Sequence, residues 1–333
     1  LTTHFEYMRL SLGVVTSQPV ETSVEFAQEA EGRGFGRVWV GEDILSREVF
    51  TYLTILALRT KTIGIGSGIT NPYVRKITTI ASSAAGVQHL SGGRFTLGLG
   101  PGGLPEVEKI TGRPPHKVVD VMWEATTILK RIFNGETVSH QGVLICLSDY
   151  IITHPEVKPL EIYFGVRGPK LLALAGEVAD GVIFSGPLDY LAHSIKIVEK
   201  SAAESGRDPK GIGRVLWNAF VMTRDASELK TAVPMAATMM ASLPEAALDY
   251  IDIKRETLEE VRRLFALSRY NDAYSLIDEG MIKEFMVAGT RAEIEDQIER
   301  CRKMGFDELV VGPPYGKEPL DVIKAMGEMY GGG

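Results

Sequence analysis

From Arg9 onward, short apolar runs alternate with longer segments whose apolar residues recur at helical spacing. RLSLGVV (9–15) predicts a strand, and VETSVEFAQEAEGRG a helix that a glycine ends. FGRVWVG (35–41) and TIGIGSG (62–68) repeat the strand pattern, each followed by an amphipathic stretch, REVFTYLTILALRT and ITTIASSAAGVQHL. RFTLGLG (94–100) predicts a fourth strand and HKVVDVMWEATTILKRIF a longer helix. EIYFG (161–165) and GVIFS (181–185) flank the helical PKLLALAGEVAD, and GRVLWNAFVM (213–222) is a seventh strand. From Asp225 to Met304 the pattern is largely helical; DELVVG (307–312) then supplies an eighth strand and EPLDVIKAMGEMY a closing helix. Eight strands mostly followed by helices indicate parallel βα units and a closed (β/α)8 barrel of the TIM type; an open doubly wound sheet is the alternative.

The chain of 333 residues is read as one barrel domain over 1–333, with insertions near 134–159, in hairpin-like form, and 244–288. Its 44% hydrophobic and 24% charged content belong to an ordinary soluble globular protein. A net charge of −7 argues against nucleic acid as the main partner, since phosphate binding needs a basic face. No apolar run reaches the length of a membrane span, and residues before Met8 read as a short extension rather than a signal peptide. Cys146 and Cys301 lie far apart and fit no metal spacing, which suits a reduced cytoplasmic setting. The expected partner is a small-molecule substrate.

Candidate chemistry clusters where strands finish. The stretch from Gly66 to Gly103 holds nine glycines, most of them at its two ends. In a barrel the active site lies at the C-terminal ends of the strands. Gly66–Asn71, Gly98–Gly103, Gly165–Lys170 and Ser185–Pro187 would then ring one mouth and leave space for something flat and broad. GVRGPK reads as an anion site, with Arg167 and Lys170 beside the free N–H groups of a helix start. After the second strand, Glu42 and Asp43 stand where a carboxyl group can orient a substrate or move a proton. Otherwise Asp43 or Ser46 caps the next helix and Glu42 pairs with Arg47. LGLGPGG is not read as a dinucleotide fingerprint, because no helix is expected directly after it, and the six scattered histidines show no catalytic or metal spacing.

GSGITNPYVR, LSGGRFTLGLGPGG and IYFGVRGPKLLALAGEVADGVIFSG, in this order, resemble the bacterial luciferase-like superfamily. Within it the chain is most similar to deazaflavin-dependent enzymes of the methylenetetrahydromethanopterin reductase type, from about Met8 to Tyr330. The resemblance implies a (β/α)8 barrel holding coenzyme F420, or alternatively FMN, and a homodimer or higher homo-oligomer. It implies a non-prolyl cis peptide at Gly68–Ile69, with Thr70 and Asn71 addressing the ring or ribityl chain and Gly98 and Gly100 allowing close approach. Gly165, Val166, Arg167, Gly168 and Ser185 would hold the ribityl-phosphate portion. Asp43 aligns with a family histidine and, with Glu42, is the candidate for catalysis. Two family acids are replaced, by Gly13 and Gly103. The implied activity is hydride transfer between deazaflavin C5 and an organic substrate. An FMN-dependent luciferase-like monooxygenase and a non-catalytic flavin-binding protein are the alternatives.

Overall fold

The computed structural model describes residues 8–153, 159–224 and 226–330. The extension before Met8 lies outside the described residues, as does 154–158 within the first insertion. β1 (Arg9–Val15) leads into α1 (Val20–Gly32), β2 (Arg37–Gly41) into α2 (Val49–Arg59), and β3 (Gly64–Ser67) into α3 (Ile77–Leu90). β4 (Phe95–Leu99) is followed by α4 (Leu104–Thr111), α5 (Val118–Phe133) and an antiparallel pair, β5 (Val138–Gln141) and β6 (Cys146–Tyr150). β7 (Ile162–Gly165), α6 (Pro169–Val178), β8 (Gly181–Phe184), α7 (Leu188–Glu204) and β9 (Gly213–Leu216) resume the alternation. β10 (Ala219–Met222) precedes α8 (Val233–Ala241), α9 (Arg255–Ala266), α10 (Tyr270–Tyr274) and α11 (Glu279–Phe285), and β11 (Met286–Gly289) follows them. α12 (Arg291–Lys303), β12 (Glu308–Val311), β13 (Pro314–Tyr315) and α13 (Pro319–Tyr330) come last.

β1, β12, β9, β8, β7, β4, β3 and β2 close, in that order, into a parallel barrel. Each of the eight expected strands supplies one stave, so the barrel reading holds and the open sheet does not. Two details differ from expectation. GRVLWNAFVM is not one strand: it leaves the barrel after Leu216, and β10 pairs with β11 and β13 in a separate sheet. The break is made by Asn218, whose side chain accepts from the Gly186 amide at 2.8 Å and donates to its carbonyl at 2.8 Å. A short amide side chain that satisfies backbone groups competes with the strand ladder. The second difference is α7, which the strand-to-strand reading passed over; Leu188, Leu191, Ile195, Val198 and Ala202 bury one face of it.

Alternate residues of each stave point into the barrel, where space suffices for a few large groups only. The sequence meets that limit by setting glycines opposite rings. A Cβ at Gly66 would collide with Trp39, and Cβ atoms at Gly181 and Gly213 would collide with Tyr163. Trp39, Tyr163, Ile183, Val215 and Val310 form this inner cluster, with Ile69 and Trp217 packed on it. Its lower end is polar. The Glu308 carboxylate accepts from Ser11 Oγ and Trp39 Nε1, both at 2.6 Å, and from Arg37 at 3.2 Å. The Arg37 guanidinium lies 4.8 Å from the Trp39 ring centroid. A buried carboxylate with this many donors leaves them stranded if it is removed.

Glu308→Ala is therefore expected to cost about 3 kcal/mol, measured by urea unfolding. Glu31, at the end of α1, accepts from the amides of Lys61, Thr62 and Ile63 at 2.8, 2.6 and 3.0 Å, tying that helix to the start of β3. Burial alone would raise its pKa, but these amides outweigh it and lower the carboxyl below its ordinary value. The stabilisation is thus present above the unfolded pKa, about 4.3, and is lost as pH falls through the lower folded value. Glu31→Gln should lower stability by about 1 kcal/mol at neutral pH, and the two melting curves should converge as pH drops below 4.3 or so.

Candidate active site

The mouth formed by the C-terminal strand ends is shaped by the segment after β3. The Gly68–Ile69 peptide is cis, as the resemblance implies. Gly68 N–H bonds to Val40 O at 2.8 Å, Thr70 N–H to Gly98 O at 2.9 Å, and Gly100 N–H to Thr70 O at 3.0 Å. The Ser67 hydroxyl donates to Gly98 O at 2.9 Å and accepts from Gly98 N–H at 2.8 Å. A Cβ at Gly98 would strike the Ser67 carbonyl, so that glycine is required by its neighbour's backbone. Ile69 turns its side chain toward β4 and β7, where a Cβ at Gly100 or Gly165 would meet it at 3.1 and 2.5 Å. Thr70 and Asn71 are fully buried. Asn71 donates to Pro101 O at 2.7 Å and accepts from the Tyr73 and Val74 amides, so its amide braces two rim loops.

The remaining rim glycines also have an occupant. Trp217, just beyond β9, lays its indole across the mouth. A Cβ at Gly13 would lie 2.9 Å from the ring, at Gly41 3.4 Å, and at Gly312 2.9 Å from Nε1. At Gly68 it would collide with the benzo edge. Of the glycines expected to leave the rim open, Gly68 admits the indole and Gly100 and Gly165 the Ile69 side chain, because converging strand ends have no room for both a Cβ and a large side chain, whereas Gly168 stays clear. Trp217 is held from below, its backbone N–H bonded to Phe184 O at 2.8 Å, while Asn218 grips Gly186.

Glu42 and Asp43 follow β2 but are placed differently. Glu42 receives two hydrogen bonds from Arg75, which also meets Glu48 at 3.0 Å and Thr70 Oγ1 at 3.3 Å. Burial raises the Glu42 carboxyl above its ordinary value, with Arg75 opposing. For Arg75, burial would lower the guanidinium, but Glu42 and Glu48 turn the net shift upward. The two directions pull against each other, and the ion pair prevails: arginine does not deprotonate in proteins, and a two-pronged fork holds a carboxylate charged. Glu42 is thus engaged in positioning Arg75, not with Arg47, which donates to the carbonyls of Thr16, Ser17 and Gln18. Asp43 is exposed; its Oδ1 accepts from the Leu45 amide at 3.1 Å within its own loop. The α2 cap is Glu48, whose carboxylate accepts from Thr51 N–H at 2.8 Å, rather than Asp43 or Ser46.

Across the mouth, β7 ends in Gly165 and α6 opens with Gly168 as its cap and Pro169 in its first turn. Val166 is buried, and Arg167 is anchored by its own carbonyl, which accepts from Tyr190 Oη at 2.5 Å. The Arg167 guanidinium reaches Ser242 Oγ at 3.2 Å and faces no carboxylate among the described residues. It is packed deeply among neighbouring atoms yet keeps an open side, and burial lowers its pKa. A Cβ at Gly168 would meet nothing within 4 Å, so the approach is clear. Ser185, after β8, is half-buried with a hydroxyl that bonds to no described residue.

α4 corrects the ground on which LGLGPGG was set aside. A helix does open directly after Gly103, and Gly98, Gly100 and Gly103 have the G-x-G-x-x-G spacing. The helix start is nonetheless unsuited to a phosphate, because the Glu106 carboxylate already lies against Gly103. Sequence reasoning missed Trp217, Asn218 and Arg75. The signal for the first two was an asparagine, a poor strand former, inside an apparent ten-residue strand.

Comparison with known proteins agrees with the geometry. A family model described as luciferase-like monooxygenase matches residues 4–308. The 5,10-methylenetetrahydromethanopterin reductase of Methanolobus tindarius is 30% identical over 96% of this chain and 99% of its own. Among solved structures, the coenzyme F420-dependent tetrahydromethanopterin reductase from Methanopyrus kandleri superposes with a TM-score of 0.87 at 23% identity, covering 96% of this chain and 97% of that one. An F420-dependent secondary alcohol dehydrogenase in complex with an F420–acetone adduct gives 0.78 at 20% identity, covering 96% and 97%.

The close approach at Gly98 provides a test of this rim. Gly98→Ala is expected to destabilise the protein by about 3 kcal/mol, the upper end for an overfilled core, because the added methyl meets a carbonyl that cannot rotate away. Thermal unfolding checks it, with Gly86→Ala, a site with nothing within 4 Å, as the neutral control.

Proposed function

We infer the function from one premise: the chain belongs to the luciferase-like monooxygenase family. Within that family it is a coenzyme F420-dependent oxidoreductase acting on a small organic substrate, a reading supported by its similarity to the reductases above. The observation that carries it is Arg167, a packed guanidinium at a helix start with no carboxylate partner. Those residues fit a phosphate-bearing cofactor tail, held by the backbone of Gly165, Val166 and Gly168, by the Arg167 cation and by the unbonded Ser185 hydroxyl.

Ile69 offers the apolar surface on which a planar ring rests. Gly68, Thr70, Asn71, Gly98 and Gly100 contribute through the shape of the rim, since their polar atoms are largely spent on one another. Bound there, the deazaflavin supplies a carbon that takes or gives a hydride. The protein's part is to hold donor and acceptor carbons in register and to exclude water. Asp43, exposed at the mouth with one carboxylate oxygen unspent, handles the proton; Glu42 acts through Arg75.

The family description favours a second reading, an FMN-dependent monooxygenase. We further propose that the whole chain forms one unit, works in the cytoplasm, and pairs with a second copy through a groove of about 470 Å³ between α2 and α3. That groove is lined by Phe50, Ile55, Val87 and Leu90.

Titration of the purified protein with F420 and with FMN, followed by cofactor fluorescence, separates the readings: saturable binding of F420 and not FMN is expected. Arg167→Ala should weaken F420 binding about tenfold, the value of one charge-assisted hydrogen bond. Asp43→Asn should slow turnover at unchanged cofactor affinity. If both variants match the parent, the assignment of these residues fails.

A further inference from the structure

Trp217 is a large half-buried aromatic at the mouth, and nothing above gives it a chemical task. Its benzo ring covers Gly68, Gly41 and Gly13, and its Nε1 lies over Gly312, so the indole spans the ends of β3, β2, β1 and β12. Four glycines, a buried amide clamp at Asn218 and the bond from its backbone N–H to the Phe184 carbonyl fix one orientation. Yet the indole N–H has no hydrogen-bond partner among the described residues and is not sealed from solvent. A donor held rigidly at the barrel mouth and left unused there awaits an acceptor.

We propose that Trp217 determines the substrate class, taking a carbonyl compound with an apolar body, or the corresponding alcohol in the reverse direction. The ring face packs on the apolar body and the N–H donates to the oxygen. A carbonyl oxygen has lone pairs to accept that bond, whereas an iminium nitrogen has none. At the end of β1, where a carboxylate would favour a cation, Gly13 leaves no room for one while Trp217 is present. This inference rests on the oxidoreductase reading above. In the forward reaction the carbonyl carbon gains a hydride from the reduced deazaflavin, which is thereby oxidised by two electrons. The π pair moves onto oxygen, and oxygen takes a proton delivered through Asp43, which is replenished from solvent.

The test uses the full chain and two variants. In the cofactor-free protein, acetophenone should quench a saturable fraction of tryptophan emission, and Trp217→Phe should abolish that fraction, leaving the collisional quenching of exposed Trp123. Loaded with reduced F420, the parent should reduce methyl ketones in preference to a cyclic iminium salt. Trp217→Phe should lower kcat for ketones about tenfold, as for one lost hydrogen bond, with F420 affinity within a factor of two or so. Trp217→Ala should in addition raise KM and accept bulkier ketones. Saturable quenching that survives in Trp217→Phe, or a preference for the iminium salt, overturns the proposal. Absence of F420 binding in the parent sinks the oxidoreductase reading instead, and the quenching result still judges Trp217.

Discussion

The volume inside an eight-stranded barrel is the constraint on which the rest of this structure depends. Inward positions recur every second residue on eight staves, and ordinary side chains at all of them would not fit. This chain answers with a few large groups and many glycines. Trp39 takes the space left at Gly66, Tyr163 that at Gly181 and Gly213, Ile69 that at Gly100 and Gly165, and Trp217 that at four strand ends. The arrangement is mutual. Removing a ring leaves a cavity, and adding a methyl at a glycine creates a clash, so neither member of a pair is free to vary alone.

That packing gives the barrel two unlike ends. At the N-terminal end Glu308 gathers Ser11, Trp39 and Arg37 into a buried polar plug whose donors and acceptor answer one another. At the C-terminal end the layer finishes in apolar surface, with polar side chains standing on the loops around it. Arg75 is neutralised by Glu42 and Glu48, whereas Arg167 meets no carboxylate among the described residues. The contrast between a guanidinium paired with carboxylates and one that meets only a hydroxyl, on opposite sides of one mouth, gives the site its polarity.

Particular residues show how far sequence reasoning reaches. The strand ends at Gly68, Gly98, Gly165 and Ser185 were legible because each follows an apolar run. The Pro169 start of α6 was legible from proline's preference for the first helical turn. The partner of Glu42 was not. Arg47, five residues away, was the local choice, but the Thr16, Ser17 and Gln18 carbonyls take it, and Arg75 comes in from beyond the next strand. The glycines are legible as places where a side chain would not fit, but which protein side chains lie against them, Trp217 and Ile69, is not.

By itself, then, the order of apolar runs determined eight βα units and hence a barrel with its working face at the strand ends, since periodicity is a local property that each segment carries alone. It also marked the start of α6 beside Arg167 and, through resemblance, the position of the cis peptide. What lies inside the barrel was decided only by closure. Trp217 meets Gly13, Gly41, Gly68 and Gly312 because the ring of strands brings the two ends of the chain together. No spacing rule links residues roughly one to two hundred positions apart. The free energy of that contact exists only once the last stave has closed the cylinder.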